Sequence, residues 1–199
     1  MNRGAETREA ILDHALRLAS EVGLEGLTIG QLAGALELSK SGLFAHFGSK
    51  DELQVQVLNH AARRFTEIVV RPALAAPRGV ARLQAIFERW VRWPREAPLP
   101  GGCIFVQAAS ELDDRPGAPR DRLVALQREW LATLARVVRG AQELGELRGD
   151  LDAEQLAFEL YGIMLSCNHA MRLLRDRHAV ERARRAFDRL VEAGRRPPA

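Results

Sequence analysis

Three hydroxyl side chains near the start of the chain stand where helices would begin. Thr28, Ser39 and Ser49 each precede a short stretch with helical spacing of apolar residues. Such side chains accept hydrogen bonds from the exposed N–H groups of a first helical turn. The same turn favours phosphates, because its N–H groups and the helix dipole attract anions. The spacing therefore predicts three successive helix starts that can hold a phosphate.

The chain has two lysines, and both follow these hydroxyl residues directly. Lys40 comes after Ser39, and Lys50 comes after Ser49. A cation in the first helical turn opposes the helix dipole, so Lys50 is better explained if a phosphate lies there. Taken singly, Lys40 or the nearby His46 is more often a solvated surface residue, and only the combined pattern favours nucleic-acid binding.

The elements that must position these residues are three helices and a tight turn. A first helix is predicted over residues 7–22, ending at Gly23, and a second from Thr28 to about Leu36. A third runs from Ser39 to about His46, and Ser49 opens a long fourth helix. Thr28 with Gln31 and Ser49 with Glu52 have capping-box spacing. Two short helices joined by a tight turn are typical of a helix-turn-helix unit, here residues 28–47.

The sequence of this unit resembles the DNA-binding signature of the TetR family. The resemblance covers residues 6–54, from TREAILDHALRLASEVGLEGL into TIGQLAGALELSKSGLFAHFGSKDEL. It implies an all-α protein with an N-terminal three-helix helix-turn-helix domain (5–65), followed by a helical bundle (66–199) for dimerisation and ligand sensing. It also implies a cytoplasmic, ligand-responsive repressor that binds a palindromic operator as a homodimer. A TetR-like activator, or a helical scaffold with weakened DNA reading, is the alternative.

The resemblance also assigns roles to single residues. Lys40, Ser41 and Gly42 fall where the family presents side chains to base edges, and Lys40 is the expected reader of a guanine. Thr28 and Lys50 match phosphate-contacting positions, and His46 matches a backbone-contacting one. Ala33, Leu38, Leu43 and Phe47 match the core between the short helices. The predicted DNA-binding residues are Thr28, Ser39, Lys40, Ser41, Gly42, Phe44, His46 and Lys50.

Three residues depart from the family pattern. Phe44 stands where a tyrosine is usual, which removes a hydroxyl donor for a phosphate. Gly30 replaces a residue that is often polar or basic. Glu37 occupies a turn position usually held by glycine, so the turn is either strained or keeps a negative φ. Each lost phosphate hydrogen bond would cost about 1 kcal/mol.

The rest of the chain reads as longer helices separated by proline and glycine. Pro72, Pro77 and Gly79 are expected to break the helix between 71 and 79, and a loop is expected from Pro94 to Gly102. Helices are predicted over 80–93 and 103–112, followed by a loop from Asp113 to Pro119 and three longer helices. The last two, 152–175 and 178–194, carry apolar stripes that predict a homodimer seam; alternatively the stripes serve the monomer core.

Aromatic residues of the central helices predict a largely apolar pocket for an unidentified small effector. An ordinary aromatic core explains any one of them about as well. No cofactor or metal is expected. The predicted pocket residues are Phe87, Trp90, Cys103, Phe105, Gln107, Trp130, Tyr161 and Cys167.

Composition and charge exclude several other classes. Residues 1–64 carry seven Arg or Lys against eight Asp or Glu, a net charge of −1, and the whole chain has a net charge of +3. A protein that coats nucleic acid through a broadly basic surface is therefore not expected. No apolar run reaches membrane length, and no signal peptide is expected. The two cysteines are far apart and are expected to be buried thiols. The common catalytic motifs are absent, so no enzyme is predicted.

Overall fold

The computed structural model describes residues 3–195, with side chains from residue 8 onward except that of Phe44. Over this range the chain is helical and has no β-strand, which confirms the predicted all-α class. A π-helical segment, Thr66–Val70, interrupts the α-helices. The α-helices are α1 Arg3–Val22, α2 Ile29–Ala35, α3 Lys40–Phe47, α4 Lys50–Phe65, α5 Arg71–Leu74, α6 Val80–Glu96, α7 Ile104–Leu112, α8 Ala118–Glu143, α9 Ala153–Arg172 and α10 Ala179–Gly194.

The predicted helix starts are confirmed by their hydrogen bonds. Thr28 Oγ1 accepts from the N–H of Gln31 at 3.2 Å, and Ser39 Oγ accepts from the N–H of Gly42 at 3.0 Å. Ser49 Oγ accepts from the N–H of Glu52 at 3.1 Å. Each cap satisfies one donor that the helix leaves unpaired, worth about 1 kcal/mol.

The helix breaks predicted at Pro72 and Pro94 are wrong. Pro72 lies in α5, directly after the π-helical segment, and the helical backbone continues past it. The Ile68 carbonyl, which the missing N–H of Pro72 leaves free, accepts from Arg89 Nη1 at 3.4 Å. Pro94 lies inside α6, which continues to Glu96. The predicted loop up to Pro119 also ends early, because α8 begins at Ala118. The presence of a proline alone therefore does not mark a helix boundary.

The helices form two compact units, each described by itself. The first unit consists of the first 65 residues together with Pro94–Leu126, and the second of Thr66–Trp93 together with the chain from Gln127 onward. The division into domains 5–65 and 66–199 stays a prediction.

The core of the first unit holds α2 and α3 against α1 and α4. Ala33, Leu43 and Phe47 are buried as predicted, whereas Leu38 is 40% exposed, so its assignment to the core is wrong. Leu38 belongs to the turn between the short helices, and its N–H donates to the Ala33 carbonyl at 3.0 Å. His60 of α4 is fully buried, and its Nε2 lies 2.8 Å from Asp13 Oδ1 of α1.

In the second unit, α6 contacts α10 through a ring pair and an ion pair. The rings of Phe87 and Phe187 stack with centroids 4.9 Å apart. Arg184 donates from Nε and Nη2 to both carboxylate oxygens of Glu88, at 2.6 and 2.7 Å. This hydrogen bonding lowers the pKa of Glu88 against the opposing effect of its partial burial. The bidentate geometry fixes α6 and α10 in register.

Candidate DNA interface and effector residues

The short helix α3 has one buried and one exposed side, as a DNA-reading helix requires. Leu43 and Phe47, one turn apart, are buried in the first unit, while Lys40, Ser41 and His46 are exposed. The backbone at Phe44 is helical, but its side chain lies outside the described residues. An exposed, narrow helix start of this kind fits the major groove, about 12 Å wide.

The side chain of Lys40 lies beside Gly30 at the start of α2. A Cβ built on Gly30 would lie 3.5 Å from Lys40 Cε and 3.8 Å from its Nζ, so the lysine side chain passes close to the start of α2. Ser39 Oγ and Ser41 Oγ are 3.3 Å apart beside it. The surface formed by α2 and α3 therefore carries Lys40, the hydroxyls of Ser39 and Ser41, and the exposed Thr28.

Lys50 is hydrogen-bonded to the turn between α1 and α2. Its Nζ donates to the carbonyl oxygen of Glu25 at 2.7 Å and lies 3.4 Å from Glu25 Oε2. About two fifths of its side chain stays exposed. The lysine that the sequence assigns to a phosphate thus has an intramolecular partner, and a phosphate must compete with that partner.

Glu25 is the centre of a polar cluster that joins three parts of the first unit. Gln54 Nε2 donates to Glu25 Oε1 at 3.1 Å and to the Leu24 carbonyl at 2.8 Å, and Arg115 Nη1 is 2.7 Å from Glu25 Oε2. Burial raises the pKa of Glu25, but Gln54, Lys50 and Arg115 together outweigh it, and the pKa lies below its ordinary value. Glu25 therefore stays charged at neutral pH.

Helix α7 contacts the same turn through a second carboxylate. Glu111 Oε2 accepts from the N–H of Glu25 at 2.8 Å. The Glu111 carboxylate also lies against Gly23, where a Cβ would overlap it, and Gly23 has a φ of +83°. The turn after α1 is therefore held by Glu111 of α7 and by Arg115 just beyond it.

The structure selects the strained alternative for Glu37. Its φ is +54°, in the left-handed region that disfavours a residue with a Cβ. An exposed glutamate here also places a negative charge beside the recognition helix.

Replacing Glu37 with glycine is expected to raise the free energy of unfolding by about 1 kcal/mol. Left-handed backbone costs about 1–2 kcal/mol for other residues, and the greater freedom of glycine in the unfolded chain offsets part of that gain. Urea denaturation of Glu37→Gly and Glu37→Gln measures the effect, because the glutamine variant loses the charge but keeps the strain. Equal stability of the two variants would contradict the backbone explanation.

The sequence did not predict Glu25 as the partner of Lys50, nor the groups that bind Glu25. Glu25, Gln54, Glu111 and Arg115 have no motif spacing, and their partners are up to 90 residues away along the chain. The one available signal was the pair of glycines that marks the α1–α2 turn.

Three of the predicted effector residues lie in the first unit. The ring of Phe105 meets Phe65 edge to face, with centroids 5.8 Å apart. Gln107 Nε2 donates to the Gly101 carbonyl at 2.9 Å, while its Oε1 is buried with no hydrogen-bond partner in the described part of the chain. Cys103 is buried directly before α7. A buried amide oxygen without a donor is costly, so it suits a group that receives a ligand.

The other five predicted residues lie in the second unit. Phe87 stacks on α10, as described above, and Trp90 and Trp130 are largely buried. The Tyr161 hydroxyl donates to Gln127 Oε1 at 2.9 Å. Cys167 lines a groove between α9 and α10, where burial raises the pKa of its thiol.

Metal and membrane chemistry find no support in the described residues. Nowhere from residue 8 to 195, Phe44 aside, do three His, Cys, Asp or Glu side chains come together in a way that could hold a metal ion. Within the same part of the chain, no helix has the length and apolar character needed to cross a bilayer.

The geometry defines a class: a helix-turn-helix DNA-binding protein with helices and no strand between residues 3 and 195. Residues 11–57 match the family model "Bacterial regulatory proteins, tetR family", and residues 79–187 match "Tetracyclin repressor-like, C-terminal domain". The second match alone spans more than half of the sequence. The chain belongs to the TetR family, as its signature predicted, and is a DNA-binding transcriptional regulator and not an enzyme.

Individual relatives agree with this assignment. The HTH-type transcriptional repressor DhaR of Mycobacterium sp. (strain GP1) is 24% identical over 178 residues, covering 87% of this chain and 86% of DhaR. A TetR transcriptional regulator from Chloroflexus aurantiacus has 29% identity and a TM-score of 0.84, with 96% of each chain covered. AibR, solved with isovaleryl coenzyme A and operator DNA, has 22% identity and a TM-score of 0.70, covering 92% of this chain and 95% of AibR. Regulators of this family typically bind DNA and a small-molecule effector and need no cofactor.

Proposed function

We propose that this protein is a homodimeric repressor that binds a palindromic operator and releases it when a small, largely apolar effector binds. Two copies of α3 enter successive major grooves on one side of the DNA, about 34 Å apart. The exposed start of α3, opposite its buried Leu43 and Phe47, is the observation that carries this proposal.

The proposed DNA contacts divide into base readers and backbone holders. Lys40, Ser41 and Gly42 face base edges, and Lys40 donates to guanine O6 and N7. The backbone holders lie at the three helix starts and in the second half of α3, and they position the reader without selecting a sequence. They are Thr28, Ser39, Phe44, His46 and Lys50.

The proposed dimer forms through α9 and α10. Phe158 and Leu165, two turns apart on α9, are exposed, and Leu173 and Leu174 just beyond it are 71% and 63% exposed. Exposed apolar side chains concentrated on one helix are typical of a protein interface. A groove of about 840 Å³ lies between α9 and α10, and the partner's helices would fill it. This pairing produces the two-fold symmetry that a palindromic operator requires.

The proposed effector is largely apolar and carries at least one hydrogen-bond donor. Phe105, in the same unit as Gln107, supplies apolar surface, and Gln107 Oε1 is a buried acceptor that a donor on the effector would satisfy. The protein should therefore bind an analogue without that donor with lower affinity, because Gln107 Oε1 would stay buried and unpaired.

The proposed release is a shift between two states that the effector binds unequally. The Glu25 cluster supplies a route inside the first unit, because Glu111 and Arg115 bind the turn that also binds Lys50. A displacement of α7 would change which groups share the Glu25 carboxylate, and with it the position of Lys50. If the protein is an activator, the same contacts apply, but the effector binds more tightly to the state that binds DNA.

Lys40→Ala and Lys50→Ala separate base reading from phosphate binding. For a palindrome selected from a random pool, Lys40→Ala is expected to cost about 1–3 kcal/mol per half-site and to relax the guanine preference. Lys50→Ala should weaken all sequences alike and lower the salt slope of log K by about 2, one contact per protomer.

Electrophoretic shifts at several salt concentrations measure both effects, with Arg128→Ala as the control for loss of an exposed charge on α8. If both lysine variants bind like Arg128→Ala, the proposed contacts are wrong. Weak, sequence-blind retention of the parent protein would favour a scaffold.

A further inference from the structure

A small cleft in the second unit combines an apolar floor with a basic rim. The cleft has a volume of about 310 Å³ and lies among the π-helical segment, α5, the start of α6, and α8. Val70 and Val137 line it, together with Leu74, whose side chain is 44% exposed. Its volume is at the lower end of the range for small-molecule sites. No residue of the predicted apolar effector set lines it.

Three arginines line this cleft against one carboxylate. Arg78 pairs with Glu143. Arg82 donates from Nε and Nη2 to the Ala76 carbonyl at 3.1 and 2.9 Å, and Arg136 donates from Nη2 to Thr133 Oγ1 at 2.8 Å. Throughout the described chain, no carboxylate lies within ion-pair distance of Arg82 or Arg136. The residues that line the cleft therefore carry two more positive charges than negative ones, and the guanidinium groups of Arg82 and Arg136 have further N–H donors.

The backbone around the cleft is open and irregular. Arg136, Gly140 and Glu143 follow one face of α8, and a Cβ on Gly140 would have only the Arg78 guanidinium within 4 Å, at 3.9 Å. Gly140 thus leaves space over α8 that a side chain would occupy. Val70, on the opposite wall, is the last residue of the π-helical segment. π-Helical turns are rare and are frequently found at functional sites.

We infer that this cleft binds a small carboxylate with a short apolar chain, at a site separate from the proposed apolar effector pocket. Guanidinium groups bind carboxylates through paired hydrogen bonds, which Arg82 and Arg136 can supply. The apolar chain covers Leu74 and the valines, removing them from water. An uncharged apolar compound lacks a partner for the arginines, and a bare anion leaves Leu74 exposed.

Calorimetric titration of the full-length protein with octanoate tests this inference. Octanoate is expected to bind once per protomer. Methyl octanoate, which has neither a charge nor a hydrogen-bond donor, and inorganic phosphate should bind at least about tenfold more weakly, since each supplies only half of the contacts. Arg82→Gln and Arg136→Gln should each weaken octanoate binding about tenfold or more. Arg128→Gln, an exposed position on the same helix away from the cleft, should leave it unchanged.

Gly140→Leu locates the site independently of charge. Leucine at this helical position fills the cleft and improves helix propensity, so octanoate binding should be lost while the melting temperature without ligand is kept. Absence of octanoate binding to the parent protein would overturn the inference. Methyl octanoate binding as tight as octanoate, or octanoate binding unchanged in Arg136→Gln and Gly140→Leu, would overturn it equally. None of these outcomes depends on DNA binding, so the proposed repressor function is tested separately.

Discussion

Replacing Gly101 with alanine is expected to destabilise the protein by about 3 kcal/mol. This cost is larger than that expected for alanine at Gly34 or Gly162. Gly101 lies against the end of α1, and a Cβ there would overlap the backbone carbonyl of Ser20. The Gly101 N–H also donates to Ser20 Oγ at 3.1 Å in a buried position. The obstacle is backbone, which cannot rotate aside, so the segment before α7 must move away from α1.

The same displacement should weaken DNA binding. Gly101 accepts from Gln107 of α7, and α7 binds the α1–α2 turn through Glu111. Urea denaturation followed by circular dichroism gives the stability. Gly34→Ala is the matched control, because Gly34 is in the same unit with nothing within 4 Å of its Cβ position, and alanine there should be neutral or stabilising. A Gly101→Ala protein as stable as Gly34→Ala would show that the close approach is absent.

The second large effect is expected from Gly162→Arg, which should convert the proposed dimer into monomers. Gly162 of α9 lines the groove between α9 and α10, and nothing lies within 4 Å of its Cβ position. An arginine therefore fits the monomer but fills the space proposed for the partner and places a charged side chain there. Loss of the two-site attachment should lower operator affinity by about a hundredfold or more.

Light scattering after size-exclusion chromatography measures the mass, and electrophoretic shifts measure the affinity. Gly162→Ala serves as the control: it adds one methyl group, favours the helix by up to about 1 kcal/mol, and should remain dimeric. A dimeric Gly162→Arg protein with parental DNA affinity would contradict pairing through α9 and α10.

The sequence predicted the local features of the DNA reader well because short-range chemistry determines them. Thr28, Ser39 and Ser49 cap helices within three residues of themselves, so their spacing was sufficient evidence. The buried positions Leu43 and Phe47 followed from the resemblance to the family pattern. Leu38 was assigned wrongly by the same resemblance, because it lies in the turn between the short helices, where its side chain is exposed.

Long-range contacts could not be predicted from spacing. The contacts of Gly101 with Ser20 and of Arg115 with Glu25 join segments about 80–90 residues apart, and a single sequence has no periodicity at that distance. The strain at Glu37 was anticipated as one of two alternatives, since only the backbone angle distinguishes them. Pro72 and Pro94 misled because the helical backbone continues past both prolines, and the spacing of residues does not show whether another group takes a carbonyl that a proline leaves free.

Hydroxyl-radical footprinting on a selected palindrome tests the central claim most directly. We expect two protected patches on the same side of the DNA, about 34 Å apart and related by symmetry, and weaker protection of both at the same protein concentration in Lys40→Ala, because loss of the guanine contact lowers the affinity. Continuous protection without symmetry, or a pattern unchanged by loss of Lys40, would contradict insertion of two α3 helices into successive major grooves.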